Sequence, residues 1–230
     1  MNEPVRLNKL IAEKLGLSRR AADELIEQGR VQLNGTPAAH GARASSTDSL
    51  VVEGRPIDLT QATNYTYLLL NKPVGYVCSR RAQGDSPTIY ALLPERYHHL
   101  KPVGRLDRDS SGLLLLTNDG NYAHTMTHPS FHKTKTYEIE LDKTLQPLHH
   151  QMISDYGVEL EDGPSKLQLE RQVEGDDTLW IVMMHEGRNR QIRRTFAALG
   201  YTVTKLHRTV FGPYQLVDIP AGGFKSVQKL

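Results

Sequence analysis

Residues 105–109 bring two carboxylates and two arginines together: Arg105, Asp107, Arg108 and Asp109. Two serines follow, and then Gly112 leads into four consecutive leucines. A carboxylate in such a place can take a proton or attack an electrophilic carbon. Polar loops fed by a rigid strand are a usual seat for catalytic groups. Spacing alone leaves two readings open: a catalytic loop, or a structural turn with solvated charges. A hydrolase using Asp107 and Asp109 as a carboxylate pair is a further alternative, but no element that would recognise a leaving group accompanies the pair.

A second chemical feature is basic. The chain of 230 residues carries a net charge of only +2, so no global excess points to a polyanion. Residues 185–208 nevertheless hold Arg188, Arg190, Arg193, Arg194, Lys205 and Arg208 against the single acid Glu186. A local patch of this kind can hold a polyanion on a nearly neutral protein. On an ideal helix Arg190 and Arg194 share a face suited to a phosphate track. Arg193 is turned about 100° from Arg194 and can point elsewhere.

Other candidates fall away. His124, His128 and His132 are spaced by four, but Pro129 interrupts the helix that would align them as metal ligands. The pairs His98–His99 and His149–His150 have no cysteine at zinc spacing, so no metal site is predicted. Cys78 is the single cysteine, which excludes an internal disulfide and fits packing better than nucleophilic catalysis. Neither a P-loop nor a GxGxxG element is present. The N-terminus has no apolar leader, and no apolar run approaches the roughly 20 residues of a membrane span. A soluble, cytoplasmic protein is expected.

The elements that must position these groups divide at residues 59–64, a polar connector without periodicity. Residues 1–58 form the first segment. Leu7, Leu10, Ile11 and Leu15 follow helical spacing up to Gly16, and Ser18 is a good N-cap for a second helix carrying Ala22, Leu25 and Ile26 inward. Val31-Gln32-Leu33 reads as a strand, with a hairpin turn at Asn34-Gly35. Residues 65–230 form the second segment, richer in strands. Residues 65–71 make one, which Pro73 must end because it lacks a backbone donor. The leucines 113–116 suit a strand buried on both faces. Lys135–Leu141 alternates, placing Tyr137, Ile139 and Leu141 on one face. Residues 166–173 and 178–184 read as a hairpin, and residues 188–199 as a helix. The class predicted is α+β: a small helix-and-strand module followed by a domain on an extended mixed, mainly antiparallel sheet with flanking helices.

The stretch GRLDRDSSGLLLLTNDG (residues 104–120) closely resembles the aspartate motif of pseudouridine synthases, in particular the RsuA family that acts on ribosomal RNA. LNKPVGYV (70–77) is similar to that family's lysine-proline motif, KTY (135–137) to its tyrosine motif, and EGRNRQIRR (186–194) to its C-terminal motif. RLNKLI (6–11) and SRRAADELIEQGRVQLNG (18–35) resemble an S4 RNA-binding domain. The first 60 residues carry eight Lys/Arg and eight Asp/Glu, so any RNA role there needs a one-sided face.

The resemblance implies isomerisation of uridine to its C-glycoside without cofactor or metal, on ribosomal RNA or a pre-ribosomal particle, by a protein expected to be a monomer. It implies that Asp107 is the catalytic carboxylate, as nucleophile or base, and that Arg193 pairs with it. A carboxylate drawn into a pocket tends to take up a proton, and a neighbouring cation keeps it ionised. Tyr137 is expected to pack on the target base, and Arg105 to fill the gap left by the flipped nucleotide. Arg6, Lys9, Arg19, Arg20 and Arg30 are the candidate RNA contacts of the first segment. Lys72, Arg188, Arg190 and Arg194 are those of the second. Lys72-Pro73 and Leu206 are expected to shape the pocket wall. A non-catalytic RNA-binding or ribosome-assembly protein is the alternative.

Overall fold

The structure, a computed structural model, describes residues 3–81 and 83–230. Two compact units result: one takes in the chain up to Tyr65 together with Asn118–Gly120, the other Thr66–Thr117 and Asn121–Leu230.

In the first unit a short strand β1 (Val5–Arg6) runs straight into helices α1 (Leu7–Leu15) and α2 (Arg19–Glu27). Ser18 Oγ accepts the Ala21 amide at 3.0 Å, satisfying one of the free N–H groups at the start of α2. Strands β2 (Val31–Leu33), β3 (Thr36–Pro37), β5 (Leu50–Val52) and β6 (Arg55–Ile57) form a four-stranded sheet in the order β3-β2-β5-β6, while β4 (Arg43–Ala44) pairs with β1. The β2–β3 turn places Asn34 and Gly35 at φ 52° and 80°, as a two-residue hairpin requires. Leu7, Ile11, Ala22, Ile26, Val31 and Leu50 close the core, the inner face that helical and alternating spacing predicts.

The second unit is built on nine strands: β7 (Tyr67–Lys72), β8 (Lys101–Pro102), β9 (Ser111–Thr117), β10 (Lys135–Leu141), β13 (Gln168–Val173), β14 (Asp176–Met184), β15 (Val203–Phe211), β16 (Tyr214–Gln215) and β17 (Phe224–Val227). The path is β13-β14-β10-β15-β9-β7-β17, with β16 on β15 and β8 on β9. A separate pair is formed by β11 (Val158–Leu160) and β12 (Gly163–Ser165). Helices α3 (Gly120–Thr127), α4 (Pro147–Gln151) and α5 (Gln191–Ala198) flank the sheet. This is the α+β class expected. Among the described strands, every pairing is antiparallel except β9 with β15, where Ser111 faces His207 and Gly112 faces Arg208.

The four leucines occupy both faces of the sheet. Leu113 and Leu115 pack with Tyr122 and Met126 on one side. Leu114 and Leu116 pack with Ile139 and Phe196 on the other. All four are fully buried. Each such side chain stabilises the fold by about 1.5–3 kcal/mol, which fixes β9 rigidly and with it the loop ahead of it.

Three elements depart from expectation. The basic helix begins at Gln191 rather than 188, because Arg190 sits in left-handed geometry at φ 46°. A helix stands at 120–127, where Asn118-Asp119-Gly120 reads only as a turn. The strand expected over residues 201–205 is β15, which continues to Phe211. Among the described residues, no helix is long and apolar enough to cross a membrane.

Candidate active site

The aspartate loop is held from beneath by a buried lysine. Lys72, at the end of β7, has no exposed surface. Its Nζ donates to the carbonyl oxygens of Pro73 (3.0 Å), Asp107 (3.0 Å) and Ser110 (2.6 Å). An ammonium has three donors, and here three carbonyls receive them. Burial pulls the Lys72 amine below its ordinary pKa. The expectation that Lys72 meets RNA is therefore corrected: a residue without solvent access cannot touch a phosphate. The Asp107–Ser110 turn is closed further by the Ser110 amide on the Asp107 carbonyl at 3.1 Å.

The strand after the loop needs its glycine. Gly112 has φ 104°, and a Cβ there would overlap the backbone amide and carbonyl of Arg208 across the parallel pairing. The same junction carries a hydrogen bond between Ser111 Oγ and His207 Nδ1 at 2.9 Å. Burial holds the His207 imidazole below its ordinary pKa.

A cleft of about 420 Å³ opens above this loop, within the size range of small-ligand sites. Asp107, Arg105, Tyr137, Arg190, Leu206 and Arg208 are among its lining residues. Asp107 is half-buried, and one oxygen lies 3.4 Å from an Arg190 terminal nitrogen. Arg190 also forks onto Asp109, with bonds of 3.0 and 2.9 Å. That hydrogen bonding, and after it the Arg193 charge, holds the Asp109 carboxyl below the usual carboxylate range.

Arg193 does not make the pairing expected of it. Its guanidinium donates to the carbonyls of Val203 (2.5 Å) and Asp109 (2.9 Å). Its Nε lies 3.4 Å from the Asp109 carboxylate, close enough to attract but without hydrogen-bond geometry. The cation beside Asp107 is Arg190. The left-handed turn at 190 aims that side chain into the cleft, whereas Arg193, on the first turn of α5, reaches behind the loop and grips its backbone.

Arg188 and Arg194 do not form an open track with Arg190. Both are paired with Asp162, Arg194 through bonds of 3.1 and 2.7 Å and Arg188 through one of 2.8 Å. Arg188 also donates to the carbonyls of Gly163 and Pro164, tying the β11–β12 turn to the start of α5. Phosphate would have to displace Asp162 to reach them.

Tyr137 is nearly buried, belongs to the core, and also lines the cleft. Arg105 is exposed at the cleft and makes no hydrogen bond or ion pair among the described residues, leaving its guanidinium free for a ligand. Leu206 lines the wall as expected. In the first unit Arg6 and Arg19 meet at one concave patch with Asn8 and Asp23, which Lys9 and Arg20 do not line. Arg30 is engaged by Glu53 and Gln28.

Sequence reasoning missed Arg190 as the partner of Asp107, Asp109 as its anchor, and two cations of the cleft, Lys135 and Arg208. No local signal announces a left-handed arginine. Arg208 could have been found, since it shares the inward face of β15 with Leu206, two residues away.

Comparison with known proteins shows the family of the chain. A family model described as RNA pseudouridylate synthase matches residues 66–198, and an S4 domain model matches residues 5–43. Over 223 residues the chain is 39% identical to the ribosomal small subunit pseudouridine synthase A of Pasteurella multocida (strain Pm70), covering 95% of this chain and 94% of that one. Over 227 residues it is 36% identical to the ribosomal large subunit pseudouridine synthase B of Bacillus subtilis (strain 168), covering 94% and 89%. A solved pseudouridylate synthase superposes with a TM-score of 0.69 at 34% identity, covering 97% and 96%. The chain belongs to the RNA pseudouridylate synthase family and carries an S4 domain at its N-terminal end.

Proposed function

We propose that this protein converts a specific uridine of ribosomal RNA to pseudouridine, with Asp107 as the carboxylate that acts on the ribose. The observation that carries the reading is the placement of Asp107 in a cleft, half-buried, with the Arg190 guanidinium 3.4 Å away. A nearby cation favours the ionised carboxylate that either role demands. Whether Asp107 bonds to C1′ or takes the 2′ proton, the C1′–N1 bond breaks and the base stays in the cleft until C5 rejoins C1′.

The target base must leave its stack, at a cost of about a few kcal/mol. The unpaired Arg105 guanidinium is planar and weakly hydrated, suited to stacking in the vacated space. Tyr137 forms the floor on which the base packs. Arg190, once a phosphate competes for it, can exchange Asp109 for the RNA backbone. Residues 1–58 serve as the RNA-binding module, with Arg6 and Arg19 facing one concave patch. A monomer is the form expected of an enzyme whose partner is a large RNA. An enzyme acting on ribosomal RNA in a bacterial-type family would work in the cytoplasm.

The test is incubation with unmodified small- and large-subunit ribosomal RNA transcripts, followed by chemical mapping of pseudouridine. One discrete modified position is expected. RNA bound without any conversion would support a non-catalytic assembly role instead.

A further inference from the structure

We propose that Arg208 contacts the substrate, its guanidinium donating to a carbonyl oxygen of the uracil ring as the glycosidic bond breaks. The proposal rests on the reading of the cleft as the uridine site.

Arg208 is 2% exposed yet lines the cleft. Its Nε donates to the Leu113 carbonyl at 2.8 Å, and its guanidinium lies 4.6 Å from the centre of the Phe211 ring. These two contacts fix its plane. One terminal nitrogen is buried without any hydrogen-bond partner. A buried donor left unmade ordinarily costs about 1–3 kcal/mol, and more when charged. Lys135 also approaches the Phe211 ring, its Nζ 6.0 Å from the ring centre and donating to the Glu186 carbonyl at 3.1 Å. Among the described residues, no carboxylate pairs with either cation. Two cations, Arg208 and Lys135, thus line the same cleft without a direct ion pair, the Glu186 carboxylate acting on Lys135 only at longer range. Arg188 and Arg193 each leave only Nε without a partner, while both of their terminal nitrogens are bonded to acceptors; in Arg208 the unpartnered atom is a terminal nitrogen.

The chemistry supplies the missing acceptor. In the first step the C1′–N1 bond breaks and its electron pair leaves on the base. Asp107 meanwhile forms a bond to C1′, or takes the 2′ proton. Under both routes the detached uracil carries one negative charge, spread over its ring nitrogen and carbonyl oxygens. In the second step C5 supplies the pair for the new C1′–C5 bond, and Asp107 is released or returns its proton. The C5 proton is then lost and N1 gains one, so the sum is an isomerisation. A fixed donor in a poorly solvated site stabilises such an anion far more than water would, and it acts mainly once charge has developed. Arg208 should therefore govern the rate of bond breaking rather than the affinity for RNA.

The experiment compares wild type with Arg208→Lys and Arg208→Met on unmodified ribosomal RNA transcripts. It reads single-turnover conversion at saturating enzyme, RNA binding and thermal melting. Both variants are expected to bind RNA as wild type does and to convert it roughly 10²-fold more slowly. Wild-type conversion rates, or a loss seen only in RNA binding, would overturn the proposal. An inactive wild type would instead sink the functional reading beneath it. Should the variants fail to fold, the wild-type enzyme decides the matter with free bases. 5-Nitrouracil, ionised at neutral pH, should inhibit about tenfold more strongly than thymine, which is neutral and also substituted at C5. Equal inhibition would overturn the proposal.

Discussion

Arg190 lies 3.4 Å from the Asp107 carboxylate while its two terminal nitrogens hold Asp109 at 3.0 and 2.9 Å. One guanidinium thus joins the carboxylate proposed to react and the one that anchors it. Asp109 is 44% exposed, so the energy of its pair is modest, but its geometry decides where the Arg190 charge sits.

Replacing Asp109 with Asn frees Arg190 from its anchor. Conversion at saturating RNA should fall about tenfold from the lost positioning, with stability changed by no more than about 1 kcal/mol. Single-turnover assays and denaturant melts measure the two effects. A rate equal to wild type would show that Arg190 needs no anchor.

Lys72→Met should destabilise the protein by about 3–5 kcal/mol, since it leaves three carbonyls of the aspartate loop without a donor. RNA affinity of the folded fraction should stay unchanged. Weaker binding in a variant of normal stability would restore the lysine to the RNA footprint.

Gly112→Ala tests the β9–β15 junction. The added methyl overlaps the Arg208 backbone in a left-handed conformation, and a loss of about 3 kcal/mol or more is expected. The change also shifts Arg208, so activity should fall more steeply than stability. A variant with wild-type melting would mean the two strands can part at little cost.

His207 gives the fold a pH dependence. Burial lowers its pKa in the folded state, while the unfolded imidazole keeps its ordinary value of about 6.5. As pH falls through that value, the unfolded chain binds a proton that the folded one refuses, and stability declines. The contribution is complete above the unfolded pKa and is lost as pH drops toward the folded one. Melting temperature followed from pH 8 downward should fall across this window, roughly pH 6.5 and below. In His207→Asn the decline should be shallower; an identical profile would assign it to other groups.

The strands were legible wherever burial imposes a period. Lys135–Leu141 alternates because one face packs inward, and the four leucines are consecutive because β9 is covered on both sides. The S4 helices announced themselves through Ser18 and the apolar spacing of Leu7, Ile11 and Leu25. Asp107 and Tyr137 were singled out through motifs, and both line one cleft. What stayed hidden depends on contacts between distant positions. Lys72 looks like a surface lysine until the carbonyls of residues 107 and 110 close over it. The parallel pairing of Ser111 with His207 spans nearly a hundred residues. Arg190 rather than Arg193 meets Asp107 because of one left-handed residue, which no helical period foretells.

The most direct test replaces Asp107 with Asn, which keeps the shape of the side chain and removes its charge. Purified variant and wild type are given the same ribosomal RNA transcript, and both bound RNA and pseudouridine are quantified. Undiminished binding with no detectable pseudouridine is the predicted result. Continued conversion at a rate near wild type would contradict the account at its root.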